Sequence, residues 1–169
     1  MNEDLEQVTD LSGLQKTAGE QPWWFSEGLH FECLGCGRCC RGEAGGIFMR
    51  PAEERRVAEE LGLSLDDLHR RFETNRWRFP SLKERSNGSC IMLSHENRCS
   101  IYRCRPLACR TWPFWPEVLA SRSDWERESR HCPGMNAGPV WDGWQIEKIL
   151  NAHNNYMKKL SNEWRKAVR

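Results

Sequence analysis

The segment "FECLGCGRCC" at residues 31–40 places four cysteines within eight positions. These thiols belong to Cys33, Cys36, Cys39 and Cys40. So dense a run can form disulfides, bind a metal or carry redox chemistry. The composition of the chain and the position of its other cysteines help to decide among these alternatives.

The composition describes a globular chain with balanced charge. It has 169 residues, of which 38% are hydrophobic, and its 25 basic and 24 acidic residues leave a net charge of +1. This balance gives no bulk attraction to nucleic acid or to anionic lipid. No apolar run approaches the roughly 20 residues that a membrane helix requires. The polar, acidic N-terminus does not resemble a secretory signal. We therefore predict a cytoplasmic protein, without a membrane or nucleic-acid partner.

This predicted location favours metal binding or catalysis over disulfides, because structural disulfides are rare in reducing cytosol. The nine cysteines are also an odd number, so a complete disulfide framework would leave one thiol over.

The spacing within the run resembles that of metal-binding loops. A Cys-x-x-Cys loop can direct two thiolates at one ion, and Gly35 and Gly37 relieve its turns. Three cysteines in C-x2-C-x2-C order match the first ligands of bacterial ferredoxins. Glu43 stands where the fourth ferredoxin cysteine would fall, although a distant Cys132-Pro133 pair is present. Both zinc and an iron–sulfur cluster therefore stay open.

Adjacent Cys39 and Cys40 pose a geometric question. Neighbouring side chains of an extended segment point in opposite directions, so one ion would rarely take both. Either the two thiols serve two sites, or one binds metal and the other packs as a buried thiol. We favour the second alternative.

The segment "GSCIMLSHENRCSIY" predicts a hairpin with strands at 89–94 and 99–102. In this register Ser94 lies opposite Cys99, and Cys90 shares a face with Cys99 at roughly 13 Å. Such a separation predicts that each thiol meets a different partner, unless the hairpin bends.

A third thiol-bearing segment follows. Pro106 is expected to start a helical turn that carries Cys109 toward the cluster and lowers its thiol pKa. Five arginines stand near the thiols in sequence and either offset thiolate charge or are ordinary surface residues. They are Arg38, Arg41, Arg103, Arg105 and Arg110.

The remaining pattern predicts a small, irregular, metal-stabilised α+β domain with short strands and a long C-terminal helix. We expect helices at 51–61, 65–73 and 143–166, and short strands in "LHFEC" and "GIFM". Residues 1–22 are interpreted as a flexible leader and 23–169 as a single cysteine-cluster domain. His69, alone on its helix, is interpreted as a surface or packing residue, and the tryptophans as core and as shielding around the site.

Three blocks of sequence together resemble a known family. "FECLGCGRCCRG", "GIFMRPAEERRVAEELGLSLDDL" and "CIMLSHENRCSIYRCRPLACRTWPF", with the later Cys-Pro, look like the YkgJ-type CxxCxxCC cysteine-cluster family. That family is described as a zinc- or iron-chelating domain without an assigned reaction. The resemblance implies metal ligands at eight positions and makes Cys104 an extra thiol. The implied ligands are Cys33, Cys36, Cys39, Cys40, Cys90, Cys99, Cys109 and Cys132.

Three functions are consistent with these patterns. The leading hypothesis is a cytosolic protein that holds an iron–sulfur cluster, a zinc ion or an iron ion through thiolates, and the ferredoxin-like triple favours the cluster. The second is a metal-dependent redox or group-transfer enzyme subunit, with His30, His95 and His131 as acid–base candidates. The third is a zinc-stabilised interaction module that grips a protein partner through tryptophans or the last helix.

Overall fold

The computed structural model describes residues 21–41, 45–76 and 79–167. These residues fall into two compact units. Unit 1 contains the described parts of Met1–Glu32 and Pro113–Asn155, and unit 2 those of Cys33–Trp112 and Tyr156–Arg169. The predicted leader lies almost wholly outside the described residues, and a single domain over 23–169 stays a prediction.

The predicted helices are confirmed. In the described residues the helices are α1 Pro51–Leu61, α2 Leu65–Phe72, α3 Leu107–Arg110, α4 Pro116–Leu119, α5 Arg122–Ser129 and α6 Gly143–Ala167. The second ends one residue before the predicted boundary, because Glu73 already has extended backbone and begins a strand.

Local signals explain where α1 and α2 begin and end. Pro51 occupies the first helical turn of α1, where its missing N–H costs nothing, and Gly62 adopts the left-handed conformation that ends the helix. Ser64 caps α2, since its side-chain oxygen accepts a hydrogen bond from the Asp67 amide at 3.1 Å.

Two antiparallel strand pairs complete the α+β fold that the sequence predicts. In unit 1, β1 (Leu29–Phe31) pairs with β4 (Met135–Trp141), with an irregular register between His30 and Phe31. In unit 2, β2 (Glu73–Arg76) pairs with β3 (Phe79–Leu82) in regular register.

The strand predictions were only partly correct. The strand in "LHFEC" is confirmed as β1, whereas the strand predicted in "GIFM" is wrong. That segment forms only an isolated bridge between Phe48 and Ser81. The Leu82 amide of β3 donates to the Ile47 carbonyl at 2.9 Å, but the Ile47 amide donates to the Ser81 hydroxyl at 3.1 Å, so a regular ladder does not continue.

Unit 2 has an aliphatic core against which several thiols pack. The core comprises Met49, Val57, Ala58, Leu68, Leu82, Met92 and Ile101. Half-buried Cys90, Cys99 and Cys104 lie against it. The packing of α1 and α2 thus supports the segments that carry these thiols.

Unit 1 has an aromatic core. Phe114 packs against Phe31, Trp125 and Trp141, with ring centroids 5.6–6.1 Å apart. Trp23 packs edge-on against Trp125 and donates a 3.0 Å hydrogen bond from its indole to the Leu119 carbonyl. Trp125 is buried and forms core, as predicted, whereas Trp23 and Trp141 are half-buried.

Helix α6 buries the apolar stripe that the sequence predicts. Ile146, Ala152 and His153 are buried in unit 1, and Tyr156 and Leu160 are buried in unit 2. No helix within the described residues has both the length and the apolar character of a membrane span.

Candidate metal centre

Cys39 and Cys40 lie on a single turn of 3-10 helix, Arg38–Cys40, and not on an extended segment. The expectation that their side chains point in opposite directions was wrong for this reason. The two thiols share a hydrogen bond, so both can face one centre. Gly37 starts the turn with a φ of +68°, and a Cβ there would lie 2.4 Å from the Asn97 carbonyl oxygen. The turn therefore requires glycine at this position.

The predicted hairpin over residues 89–102 does not form two regular strands. Leu93, not Ser94, is the bridge partner of Cys99. A tight turn begins at Cys90, whose carbonyl accepts a 3.0 Å hydrogen bond from the Leu93 amide. This turn bends the chain, and the charge of Cys99 contributes to a raised pKa of Cys90, after the larger effect of burial. The separation of roughly 13 Å between the two residues stays a prediction.

A backbone hydrogen bond links this bent segment to the first cysteine run. The Cys90 amide donates to the Cys40 carbonyl at 2.8 Å. Arg85 holds the same bend, since its guanidinium donates to the carbonyls of Cys90 and Ile91 at 2.8 and 2.9 Å. Two segments distant in sequence are thereby held side by side.

The Cys40 thiol forms hydrogen bonds with the sulfurs of both Cys39 and Cys99. Hydrogen bonding from Cys40 and, to a smaller extent, the Arg105 guanidinium lower the pKa of Cys39 and of Cys99 to about 7 each, against the opposing effect of burial. The same hydrogen bonds raise the pKa of Cys40. The group therefore offers thiolates near neutral pH, the form in which cysteine binds metal.

Cys109 belongs to the same neighbourhood but not with the predicted pKa. Pro106 precedes α3, which carries Cys109 as expected. Burial raises the pKa of its thiol, and the negative charges of Cys90, Cys39 and Cys99 raise it further. The predicted lowering was wrong, because α3 spans four residues and its N-terminal field does not outweigh desolvation.

The other predicted ligands lie in less crowded surroundings. Cys33 is exposed, and its sulfur accepts a 3.8 Å hydrogen bond from the Arg105 guanidinium. A hydrogen bond with Cys33 also raises the pKa of Tyr102. Cys36 is half-buried, between Cys33 and the Arg38–Cys40 turn. Cys132 is buried in unit 1, whereas the eight other cysteines belong to unit 2. The ligand role of all eight predicted positions stays a prediction.

Comparison with known proteins matches this segment to a family. Residues 32–133, more than half of the chain, match the model of the CxxCxxCC family, described as "Putative zinc- or iron-chelating domain". The chain belongs to the CxxCxxCC family. The resemblance drawn from the sequence is confirmed, and the family description supports a metal as the cofactor.

A relative with this likeness is an uncharacterized protein of Methanocaldococcus jannaschii. It is 25% identical over 118 residues, which cover 68% of this chain and 63% of the relative. The chain thus spans less than two thirds of that relative. No solved structure matches the chain at a significant level.

Within the CxxCxxCC domain, Arg105 is the arginine that acts on several thiols. Its guanidinium contacts Cys33, lowers the pKa of Cys39 and Cys99, and lies 3.9 Å from the centre of the Tyr102 ring. Arg41 instead hydrogen-bonds the Asn97 side chain and thereby ties the first cysteine run to the bent segment. The effect of Arg105 on these two pKa values is in the direction expected of a guanidinium group that offsets thiolate charge, and the role of the five arginines stays a prediction.

A buried carboxylate positions the helix that carries Cys109. Glu53 is 3% exposed. One of its oxygens accepts a 2.8 Å hydrogen bond from the Leu107 amide at the start of α3. The other lies 2.5 Å from the Tyr156 hydroxyl and 3.0 Å from the Arg50 amide. The contact with Arg50 is a local capping contact, which a glutamate at the third position of a helix can signal. The contacts with Leu107 and Tyr156 have no such signal, because these partners are distant along the chain.

The three histidines proposed for acid–base chemistry are exposed. Nδ1 of His30 lies 2.9 Å from the Gly138 carbonyl oxygen in unit 1, which gives this ring a structural contact. His95 lies on the turn between Leu93 and Cys99. These placements give no support to a histidine-based reaction.

Sequence reasoning missed a second group of candidate ligands in unit 2. Nε2 of His69 lies 3.4 Å from a Glu54 oxygen and 3.8 Å from a Glu73 oxygen. The interpretation of His69 as a plain surface or packing residue was therefore incomplete. The spacing of His69 and Glu73, four residues apart, could have signalled the pair, but Glu54 joins them only through helix packing.

Proposed function

We propose that this chain holds a metal centre through cysteine thiolates, and that the centre is an iron–sulfur cluster in preference to a single Zn2+. The observation that carries the proposal is that two distant cysteine-bearing segments are held side by side by the Cys90 amide, which donates a 2.8 Å hydrogen bond to the Cys40 carbonyl. The thiols of Cys39, Cys40 and Cys99 are thereby close enough to shift one another's pKa. The proposed ligands are drawn from Cys33, Cys36, Cys39, Cys40, Cys90, Cys99, Cys109 and Cys132.

The donor chemistry fits both candidate metals. Thiolates are the usual ligands of structural zinc and of iron–sulfur clusters. A positive group beside the thiols compensates for the negative charge of either centre, and Arg105 occupies that position. The family description, zinc- or iron-chelating, allows the same two metals.

The spacing of the thiols supports the cluster. Four sulfurs around one zinc lie roughly 3.8 Å apart, given a Zn–S bond of roughly 2.3 Å. Among the described residues, no three cysteine sulfurs lie within 4.8 Å of one another. The C-x2-C-x2-C order of Cys33, Cys36 and Cys39, which matches the first ligands of bacterial ferredoxins, favours the cluster.

The test is metal and acid-labile sulfide content of protein purified without oxygen. We expect iron with an equal amount of sulfide in the wild type, loss of most of both in Cys99→Ser, and retention in Cys104→Ser. Cys104 is the matched control, because it is also a half-buried cysteine of unit 2. Zinc without sulfide would replace the cluster by a zinc site, and absence of both metals would overturn the proposal.

A second candidate function is a redox or group-transfer subunit that works with a protein partner in the cytoplasm. The observation that favours this function is that part of the cysteine cluster is exposed to solvent. Cys33 and Cys39 are exposed, and Leu34, which lies between them in sequence, is 54% exposed. A partner could reach a centre at this surface. The hypothesis that α6 binds a protein partner loses support, because the apolar stripe of this helix is buried within the chain.

A further inference from the structure

Three side chains of unit 2 converge at a place that contains no thiol. Glu54 comes from α1, His69 from α2, and Glu73 from the first residue of β2. One ligand atom of each lies within 4.8 Å of those of the other two. Two helices and a strand therefore fix the three groups in place.

The two carboxylates are buried, and each has one oxygen that makes no hydrogen bond within the described residues. Glu54 is 5% exposed and Glu73 is 8% exposed. Oε1 of each residue is buried and makes no hydrogen bond within the described part of the chain. Unpaired buried carboxylate oxygens are costly, so two at one place call for an explanation.

The charges around the group do not supply that explanation. A protonated His69 could offset one of the two negative charges, and Arg55 acts on Glu54 alone. Burial and the charge of Glu54 raise the pKa of Glu73 to about 7. Burial thus favours the neutral form of these carboxyl groups, whereas a divalent cation between them would favour their charged, metal-binding form.

The group is also open to solvent on one side. The His69 side chain is 46% exposed, and a cavity of about 400 Å³ is lined by His69, Glu73, Thr74, Asn75 and Pro80. An ion can enter from this cavity, and water or a small ligand can complete its coordination there. Three protein ligands with an open position are typical of catalytic rather than structural metal sites.

We propose that Glu54, His69 and Glu73 form a second metal site, which binds a divalent first-row ion such as Mn2+ or Fe2+ through two carboxylates and one imidazole. Oxygen-rich ligand sets suit Mn2+, whereas thiolates select zinc, Cu(I) and iron–sulfur clusters. The site is therefore chemically distinct from the thiolate centre and does not rest on the nature of that centre.

The experiment uses Mn2+ as the probe, since it disfavours thiolates. The full chain, with its thiolate centre loaded as purified, is titrated with Mn2+ and bound ion is measured from the loss of the free Mn2+ signal in electron paramagnetic resonance. We expect one Mn2+ per chain, and affinity at least about 10-fold lower in Glu73→Gln and in His69→Ala. Glu59→Gln, an exposed glutamate of the same α1 helix, is the matched control and should bind as the wild type does.

Two further measurements keep the result decisive. Cys99→Ser should retain the Mn2+ even if it loses the thiolate metal, which separates the two sites. His69 is largely exposed, so its alanine variant should fold even if Glu73→Gln does not. No Mn2+ bound to the wild type, or equal affinity in wild type and His69→Ala, would overturn the proposal.

Discussion

The carboxylate of Glu53 in α1 accepts a 2.8 Å hydrogen bond from the backbone amide of Leu107, two residues before Cys109. The opposite oxygen of the same carboxylate lies 2.5 Å from the Tyr156 hydroxyl of α6. Within unit 2, one buried side chain thus connects α1, the start of α3 and the C-terminal part of α6. The position of a proposed metal ligand depends on a residue that does not touch metal itself.

Replacement of this carboxylate tests the connection. Glu53→Gln keeps the shape but removes the charge that strengthens the bonds to Leu107, Arg50 and Tyr156. We expect it to lower the free energy of unfolding by about 3 kcal/mol, because bonds to a buried charged acceptor contribute about 1.5–3 kcal/mol each. Urea unfolding of the metal-loaded protein measures the change. Glu59→Gln should be near neutral, and an equally small effect at Glu53 would contradict this account.

Gly37 and Gly35 form a matched pair for the turn that carries Cys39 and Cys40. Both have a positive φ, of +68° and +63°, so alanine at either costs about 1–2 kcal/mol of backbone strain. A Cβ at Gly37 would also meet the Asn97 oxygen at 2.4 Å, whereas at Gly35 the nearest atom, of Arg98, is 4.0 Å away.

Gly37→Ala should therefore destabilise the protein by at least about 1 kcal/mol more than Gly35→Ala, and should release more of the bound metal. Thermal unfolding and metal content of the two variants check this. Equal effects would show that the turn does not depend on its approach to Asn97.

His153 gives unit 1 a pH-dependent stability. It is 7% exposed and lies against Trp115, with ring centroids 5.6 Å apart. Burial lowers its pKa below the ordinary 6.5, an effect that Glu117 opposes in part. The unfolded chain thus binds the proton more tightly, so the contribution of His153 is full above about pH 6.5 and is lost as the pH falls through the lowered value.

We expect His153→Gln to flatten the dependence of the free energy of unfolding on pH between about 5 and 7. Denaturant unfolding at several pH values measures it. His95→Gln replaces an exposed histidine and should leave the slope as in the wild type. An unchanged slope in His153→Gln would mean that the buried ring is not the group that titrates.

Removal of the thiolate metal should destabilise unit 2. The thiol-bearing segments have few regular backbone ladders, and metal binding to such segments contributes directly to folding. Chelation, or Cys36→Ser, should lower the Tm and expose the amides of Cys90 and Leu93 to hydrogen exchange. An apo protein with an unchanged Tm would exclude a structural role for the metal.

The sequence by itself determined the elements whose signals are local. Pro51 and Gly62 delimit α1, the Ser64 cap starts α2, and the spacing of Ile146, His153 and Leu160 predicts α6. The cysteine spacing was sufficient to identify the family, because the C-x2-C-x2-CC run and the later cysteines have a specific order and a specific spacing along the sequence.

Only the tertiary structure decided how these elements use their side chains. The 3-10 turn places Cys39 and Cys40 together because the chain packs at Gly37 against Asn97, and the bend after Cys90 depends on Arg85. Likewise, burial raised the pKa of Cys109, which the sequence predicted to be lowered. The packing of α1 on α2 placed the Glu54 side chain beside those of His69 and Glu73. Caps and periodicity act over a few residues, whereas burial, charge and convergent ligands depend on residues distant along the chain.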